Sequence, residues 1–475
     1  MATDTPSRPE KPEKNEVPTN IFGAKESSEN DRWWHLTFGG LLVIALIGFG
    51  LWSVGWVSPE TSRILLITAI VFGVFMAFNI GGNDVANSFG TSVGSGTLTM
   101  KQALIVAAIF EVSGAILAGG AVTDTVRSSI VDLSVVSQSP EDFIYIMMSA
   151  LLGAAIWLFI ATRMGWPVST THSIIGGIVG AAVSMGLKTG LGGLEMVQWN
   201  KIGEIAASWV LSPTLGGVLA FCIFWIIKRF VLSHDGDSED GHRALRTIVP
   251  IIGAIASVIM AAMLLMKGLQ NLHLEMSAAG TVVLLMMIAV VSWIAVYILA
   301  QALRKKKFPK ASFTLFAWMQ VFTACAFAFS HGANDIANAV GPFAAVLDVM
   351  RTGSVNSQAV VPLPILITFG AALLAGLWFI GRRVVTTVGK KITEIHPASG
   401  FAAELSAASV VMLASMLGLP VSSTHILIGA VLGVGLVNRA ANWGLMKPIG
   451  LAWLITLPAS AGIGAIGYLV LSAIF

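Results

Sequence analysis

Apolar residues occupy this chain in long blocks, and polar residues are pressed into the short gaps between them. A block of about 20 apolar residues spans the hydrocarbon core of a bilayer as a helix. The pattern predicts thirteen such spans, at 34–57, 62–80, 102–122, 143–162, 167–186, 203–227, 247–266, 277–300, 312–330, 361–380, 401–418, 420–437 and 449–473. Trp33, Trp34, Trp56 and Trp199 stand at span ends, where an amphipathic ring suits the lipid–water boundary. The predicted fold class is therefore an all-α polytopic membrane protein, with the lipid bilayer as its first partner.

Composition agrees. The 475 residues are 55% hydrophobic and 11% charged, against about 25% charged in an ordinary soluble domain. The net charge of +3 is small, and nothing in it points to nucleic acid. Cys222 and Cys325 lie inside apolar runs and read as buried, inert thiols, with no disulfide framework and no metal site. Residues 1–31 are rich in Pro, Glu, Lys, Ser and Asn and read as a disordered tail. They do not resemble a signal peptide, since the first apolar run starts only near Trp33.

The basic residues orient the chain. Arg304-Lys305-Lys306-Lys307 with Lys310, then Lys228, Arg229, Arg243 and Arg246, then Arg382, Arg383, Lys390 and Lys391 mark three short loops. Even numbers of spans separate these loops, so one orientation places all three in the cytoplasm, with the N-terminus inside. The membrane is expected to be the plasma (inner) membrane. The same clusters also suit lipid phosphates on that side.

The apolar pattern is interrupted twice by one motif. Gly81-Gly82-Asn83-Asp84-Val85-Ala86-Asn87 returns as Gly332-Ala333-Asn334-Asp335-Ile336-Ala337-Asn338, and Pro167-Val168-Ser169-Thr170-Thr171-His172 returns as Pro420-Val421-Ser422-Ser423-Thr424-His425. Gly114 to Gly119 has a looser echo in Gly370 to Gly376. Three signals in one order indicate a duplication. Each copy holds five spans and two further spans link them, so the second copy enters the membrane from the opposite side. This inverted-topology repeat, with a broken motif helix in each half, is an arrangement that many secondary transporters use. The expected segments are a tail (1–31), an extra N-terminal span (32–57), a first repeat (58–230), a linker with two spans (231–311) and a second repeat (312–475).

Ionisable groups at membrane depth are expensive and mark pathways for ions or solute. Asn83, Asp84 and Asn87, like Asn334, Asp335 and Asn338, place hard oxygen ligands on one side of a short helical turn, which suits a hard cation such as sodium. The structural alternative is a helix cap. The Pro-Val-Ser motifs predict helix starts at which Ser169, Thr170 and Thr171, and Ser422, Ser423 and Thr424, turn hydroxyls and free N–H groups toward an anion. A plain capped helix is the alternative there. His172 and His425 read as structural side chains bonding a neighbouring helix, or as proton carriers. Glu111 and Glu404 lie in apolar spans as cation-site or gating carboxylates, or as polar residues bonded inside the bundle. Asp124, Arg127 and Asp132 read as a solvated polar loop. Neither motif contains Lys or Arg, so an anion beside Asp84 and Asp335 needs a bound cation between them.

These residues resemble the duplicated signature of the inorganic phosphate transporter (PiT) family. Asn83-Asp84-Val85-Ala86-Asn87-Ser88-Phe89-Gly90-Thr91, the second Asn-Asp copy, the Pro-Val-Ser motifs, Trp209 to Pro213 and Gly400 to Leu405 carry the likeness, over about residues 62–473. The resemblance implies an inverted-repeat bundle, often homodimeric, that brings inorganic phosphate into cells with a cation by alternating access. The Asn-Asp form is similar to the sodium-coupled branch. By the same likeness, Asp84 and Asp335 would serve phosphate and sodium together. Asn83, Asn87, Asn334 and Asn338 would support sodium, and Ser169, Thr170, Thr171, Ser422, Ser423 and Thr424 would hold phosphate oxygens. Glu111 and Glu404 would be transport-linked carboxylates. A transporter of this kind is not an enzyme and needs no cofactor beyond the coupling ion. A proton-coupled phosphate carrier, a sulfate permease, a passive anion channel and a membrane enzyme acting on phosphorylated substrates are the alternatives.

Overall fold

The computed structural model describes residues 31–234, 238–271, 276–356 and 361–475. The expected tail, apart from Asp31, lies outside them. The described chain is helical, with one isolated bridge between Val131 and Val197. The helices are α1 (Asp31–Trp56), α2 (Arg63–Ile80), α3 (Met100–Ala118), α4 (Gly120–Ser128), α5 (Pro140–Met164), α6 (Thr170–Thr189), α7 (Trp199–Phe230) and α8 (Glu239–Asn271). They continue as α9 (Ala278–Ala302), α10 (Phe308–Asp335), α11 (Ala337–Thr352), α12 (Leu363–Ile380), α13 (Arg382–Lys390), α14 (Pro397–Met416), α15 (Ser423–Asn438) and α16 (Trp443–Ile474). Among the described residues twelve helical segments are long and apolar enough to cross a membrane, and α15 is a shorter apolar helix. Each of the thirteen expected spans falls on one of these. The thiols do not follow expectation, because Cys222 is exposed on the outer face of α7 and Cys325 is half-buried. The other described helices leave that side chain uncovered, so an apolar run does not by itself mean protein burial.

Contacts between loops sort the helix ends into two sets. At one end Asp31 pairs with Lys101 (3.1 Å) and Arg382 (3.2 Å), Arg383 donates to the Arg163 carbonyl (2.6 Å), and Lys228 donates to Asn438 (2.9 Å). At the other, Thr61 donates to the Met350 carbonyl (2.9 Å), Thr125 to the Gly418 carbonyl (2.8 Å), and Lys188 to Ser472 (2.8 Å). Successive spans alternate between these ends. Arg63 opens α2 beside the second set. Phe308 opens its counterpart α10 beside His234 and His396, which belong with the first. The repeat is therefore inverted, as the span count predicts.

The two halves are held together at close range by glycine. A Cβ on Gly81 would overlap the Leu373 carbonyl, and one on Gly332 would overlap the Glu111 carbonyl. Gly376 meets Phe78 and Gly82 in the same way that Gly114 meets Phe329 and Ala333. Each motif helix thus lies directly against the second span of the other half, the first motif on α12 and the second on α3. Small residues allow such approach where no hydrophobic force acts between helices in lipid. The equivalence set by these contacts is Gly114 with Gly376, which corrects the looser alignment of the echo. Outside this centre, α9 buries only Ala300 among its described side chains and turns large apolar residues such as Met286, Val290 and Ile294 outward.

Candidate functional site

Both motif copies lie where the halves meet, and Asn83, Asp84, Asn334, Asp335 and Asn338 are buried. The helix breaks differ from one another. The first copy forms a π-helical turn, Gly81–Val85, whereas the second interrupts the helix only at Ile336. The first copy carries two adjacent glycines, and the second has alanine at Ala333, which favours the α-helix.

Each Asn fixes the loop that leads to the hydroxyl motif of its own half. Asn83 Nδ2 donates to Thr162 Oγ1 and to the Trp166 carbonyl (both 3.0 Å), and Val168 N donates to Asn83 Oδ1 (3.1 Å). Asn334 Nδ2 donates to Ser415 Oγ (3.0 Å) and the Leu419 carbonyl (3.2 Å). The prolines do not start the helices, as the spans 167–186 and 420–437 had placed them. Ser169 and Ser422 are the N-caps, in extended backbone, and accept from the backbone N–H groups of His172 (3.1 Å) and His425 (3.2 Å). Serine caps because its oxygen satisfies an otherwise free N–H, so the helix begins one residue later.

The next residues meet the aspartates. Thr170 N (3.3 Å) and Thr170 Oγ1 donate to Asp84 Oδ2, and Ser423 Oγ donates to Asp335 Oδ2. The halves also cross over. Thr424 Oγ1 donates to Asp84 Oδ1 (2.9 Å), Asn338 Nδ2 donates to Thr171 Oγ1 (3.1 Å), and Thr171 Oγ1 donates to the Val421 carbonyl (2.8 Å). The structure thus brings together all the motif residues singled out above except Asn87, whose side chain lies outside the described residues.

Sequence reasoning missed His331. Its Nε2 lies 2.8 Å from Asp335 Oδ2 and its Nδ1 lies 2.7 Å from Glu111 Oε2. Asp84, His331 and Asp335 offer ligand atoms within 4.8 Å of one another. The equivalent of His331 in the first half is Ile80, and the equivalent of Glu111 is Leu373, so this pair belongs to one half-site alone. Comparing the two copies one residue upstream of Gly81 and Gly332 would have exposed it. Asp335 Oδ1, Asn334 Oδ1, Asn338 Oδ1 and Glu111 Oε1 have no donor among the described residues. Such buried oxygens suit a hard cation.

Glu404 sits in a second cluster. It accepts from Thr91 (2.7 Å), Ser92, Gln320 Nε2 (3.1 Å) and Thr323 (2.9 Å). Gln320 accepts in turn from Ser95 (2.8 Å) and Thr97 (2.6 Å). This ties α14 to α10 and to the segment that follows the first motif.

His172 and His425 do not bond neighbouring helices through their rings. They form the middle of a row of ring contacts, Trp209–His172–His425–Trp453, with centroid distances of 3.8, 4.6 and 3.8 Å, the two imidazoles meeting edge to face. Among the described residues neither His172 nitrogen has a partner, nor does His425 Nε2. The rings act as aromatic surface. The variant His172→Phe should keep the row of rings, so its thermal midpoint in detergent should equal or exceed that of the parent, while His172→Ala should lower it. A His172→Phe midpoint as low as that of His172→Ala would show that the nitrogens matter to the fold.

Fold and site together define a polytopic membrane protein built from two inverted halves around an oxygen-lined centre. A family model described as the phosphate transporter family matches residues 80–464. The chain is 51% identical to a Mycobacterium bovis protein named as a phosphate permease, over 94% of both chains. It is 37% identical to the chloroplastic inorganic phosphate transporter 2-1 of Arabidopsis thaliana, over 87% of this chain and 73% of that one. Among solved structures it is similar to "The sodium-dependent phosphate transporter", with a TM-score of 0.78 and 36% identity, covering 87% of this chain and all of that one. The protein belongs to the phosphate transporter family.

Proposed function

We propose that this protein carries inorganic phosphate into the cell together with sodium, by alternating access at the interface of its halves. The observation that carries this reading is the pairing of Asp84 and Asp335 with hydroxyl-bearing helix N-termini, stitched across the halves by Thr424 and Asn338. An anion placed at those N-termini meets N–H groups and hydroxyls but also two carboxylates. Two unit charges about 4 Å apart interact by about 4 kcal/mol at an effective dielectric of 20. Cations held by the free oxygens of Asp335, Asn334 and Asn338 offset that repulsion, and phosphate in turn strengthens their binding. Coupling then follows from electrostatics.

In this reading Asn83, Asp84, Asn87, Asn334, Asp335 and Asn338 serve the sodium ions. Ser169, Thr170, Thr171, Ser422, Ser423 and Thr424 take phosphate oxygens, with Asp84 and Asp335 between the two ligands. Glu111, through His331, adjusts the charge beside Asp335, and Glu404 joins moving parts. The basic end faces the cytoplasm, following the excess of Lys and Arg there.

Replacing external sodium with choline at fixed pH should stop uptake of labelled phosphate into proteoliposomes. Uptake that persists and follows the proton gradient would show proton coupling.

A further inference from the structure

The motifs leave two short helices unexplained. α4 and α13 each follow a glycine that ends a span, Gly119 and Gly381, and their sequences align as a further repeat: Val122 with Val384, Thr125 with Thr387 and Val126 with Val388. Each is seated on the opposite half. Val126 lies over Gly341, and Val388 over its equivalent, Gly90. Thr125 donates to the Gly418 carbonyl (2.8 Å), and Thr387 lies against the equivalent Gly165. Gly418 and Gly165 adjoin the loops that Asn334 and Asn83 hold at Leu419 and Trp166. The two helices therefore cap the two half-sites from opposite ends of the bundle.

They are not chemically alike. At the basic end Gly389 packs directly on Gly90 and Gly94, with no room for a side chain. At the other end the equivalent residue is Arg127, buried to 1% exposure of its side chain. The expectation of a solvated loop fails for it, because α4 folds inward against α11. Asp124 Oδ1 lies 3.3 Å from the guanidinium, and Asp348 is its second acidic neighbour. Asp348 is held by Arg351 and Asn356, both at 2.9 Å.

We infer that α4 is the outer gate of the pathway and that Arg127 is its anion-receiving residue, latched to Asp124 and Asp348 when the gate is shut and offered to incoming phosphate when it opens. This rests on the import reading above. A guanidinium matches a phosphate group in shape and charge. At the inner gate the equivalent position is Gly389, and the guanidinium groups of α13 are engaged at its start, Arg382 with Asp31 (3.2 Å) and Arg383 with the Arg163 carbonyl (2.6 Å), so no buried guanidinium stands where Arg127 does.

The test uses full-length protein in oriented proteoliposomes with saturating sodium, comparing the parent with Arg127→Gln and Arg127→Lys. Arg127→Gln should raise the half-saturating phosphate concentration at the outer face by about tenfold, the loss of one charge-assisted contact. The maximal rate and the half-saturation of efflux from the basic end should change far less, and Arg127→Lys should recover most of the outer affinity. Unchanged half-saturation in Arg127→Gln, or an equal rise at both faces, overturns the inference. If Arg127→Gln does not fold, Asp348→Asn decides. A weakened latch should lower the outer half-saturation, and an unchanged or higher value overturns the inference. Absence of phosphate uptake by the parent would instead overturn the import reading itself.

Discussion

Asp84→Asn should abolish sodium-coupled phosphate uptake in a protein that still folds. The carboxylate accepts from Thr170 on its own half and from Thr424 on the other. An amide of the same shape keeps one acceptor, and the threonine hydroxyls can turn to meet its NH₂. Packing is therefore preserved and the charge is not. Removing a unit charge about 4 Å from a cation costs about 4 kcal/mol at an effective dielectric of 20, which is hundredfold or more in affinity. Uptake should fall to background while the size-exclusion profile and the thermal midpoint without ligand stay near those of the parent. Stabilisation of the parent by sodium plus phosphate should disappear in the variant, as linkage requires when the ligands no longer bind. Parent-like uptake by Asp84→Asn would remove this residue from the site.

Gly376→Val should do the opposite and remove the fold. The residue touches no ligand-site group, but a Cβ there would overlap the Phe78 carbonyl and crowd Gly82 N at 3.1 Å. Both obstacles are backbone, so neither can rotate away. The α2 and α12 helices would have to separate, and Gly81 would lose its seat on Leu373. Overpacking a close contact typically costs about 1–3 kcal/mol, and more where backbone must move. The expected result is loss of monodisperse protein after extraction. Gly120→Val is the control, since nothing lies near its Cβ position. Equal yields of the two variants would show that the halves do not depend on this contact.

The pair of variants separates chemistry from architecture. Thr424, Asn338 and Thr171 link the halves through polar groups that can exchange partners, whereas the glycine contacts at Gly81, Gly114, Gly332 and Gly376 fix where the halves meet. Binding can then alter these polar links without loosening the glycine contacts. The asymmetric His331–Glu111 pair adds a proton-bearing group to one half-site only.

Much of this was legible in the chain itself. The thickness of the hydrocarbon core demands apolar blocks of fixed length, so the blocks reveal the spans. Duplication copies the order of motifs, and an odd number of spans in each half makes the copy inverted. Charge in a lipid setting is costly, so Asp84, Asp335, Glu111 and Glu404 stand out without any coordinates. What the sequence could not hold is proximity between residues far apart along the chain. His331 looks like an ordinary helix residue until α3 brings Glu111 against it. Arg127 looks like part of a polar loop until α4 is seen folded under α11. The unbonded rings of His172 and His425 acquire meaning only from Trp209 and Trp453 on either side. Span length, order and inversion are properties of a chain meeting a bilayer. Which carboxylate meets which hydroxyl depends on how closely two helices pack, and that was settled only when the halves came together.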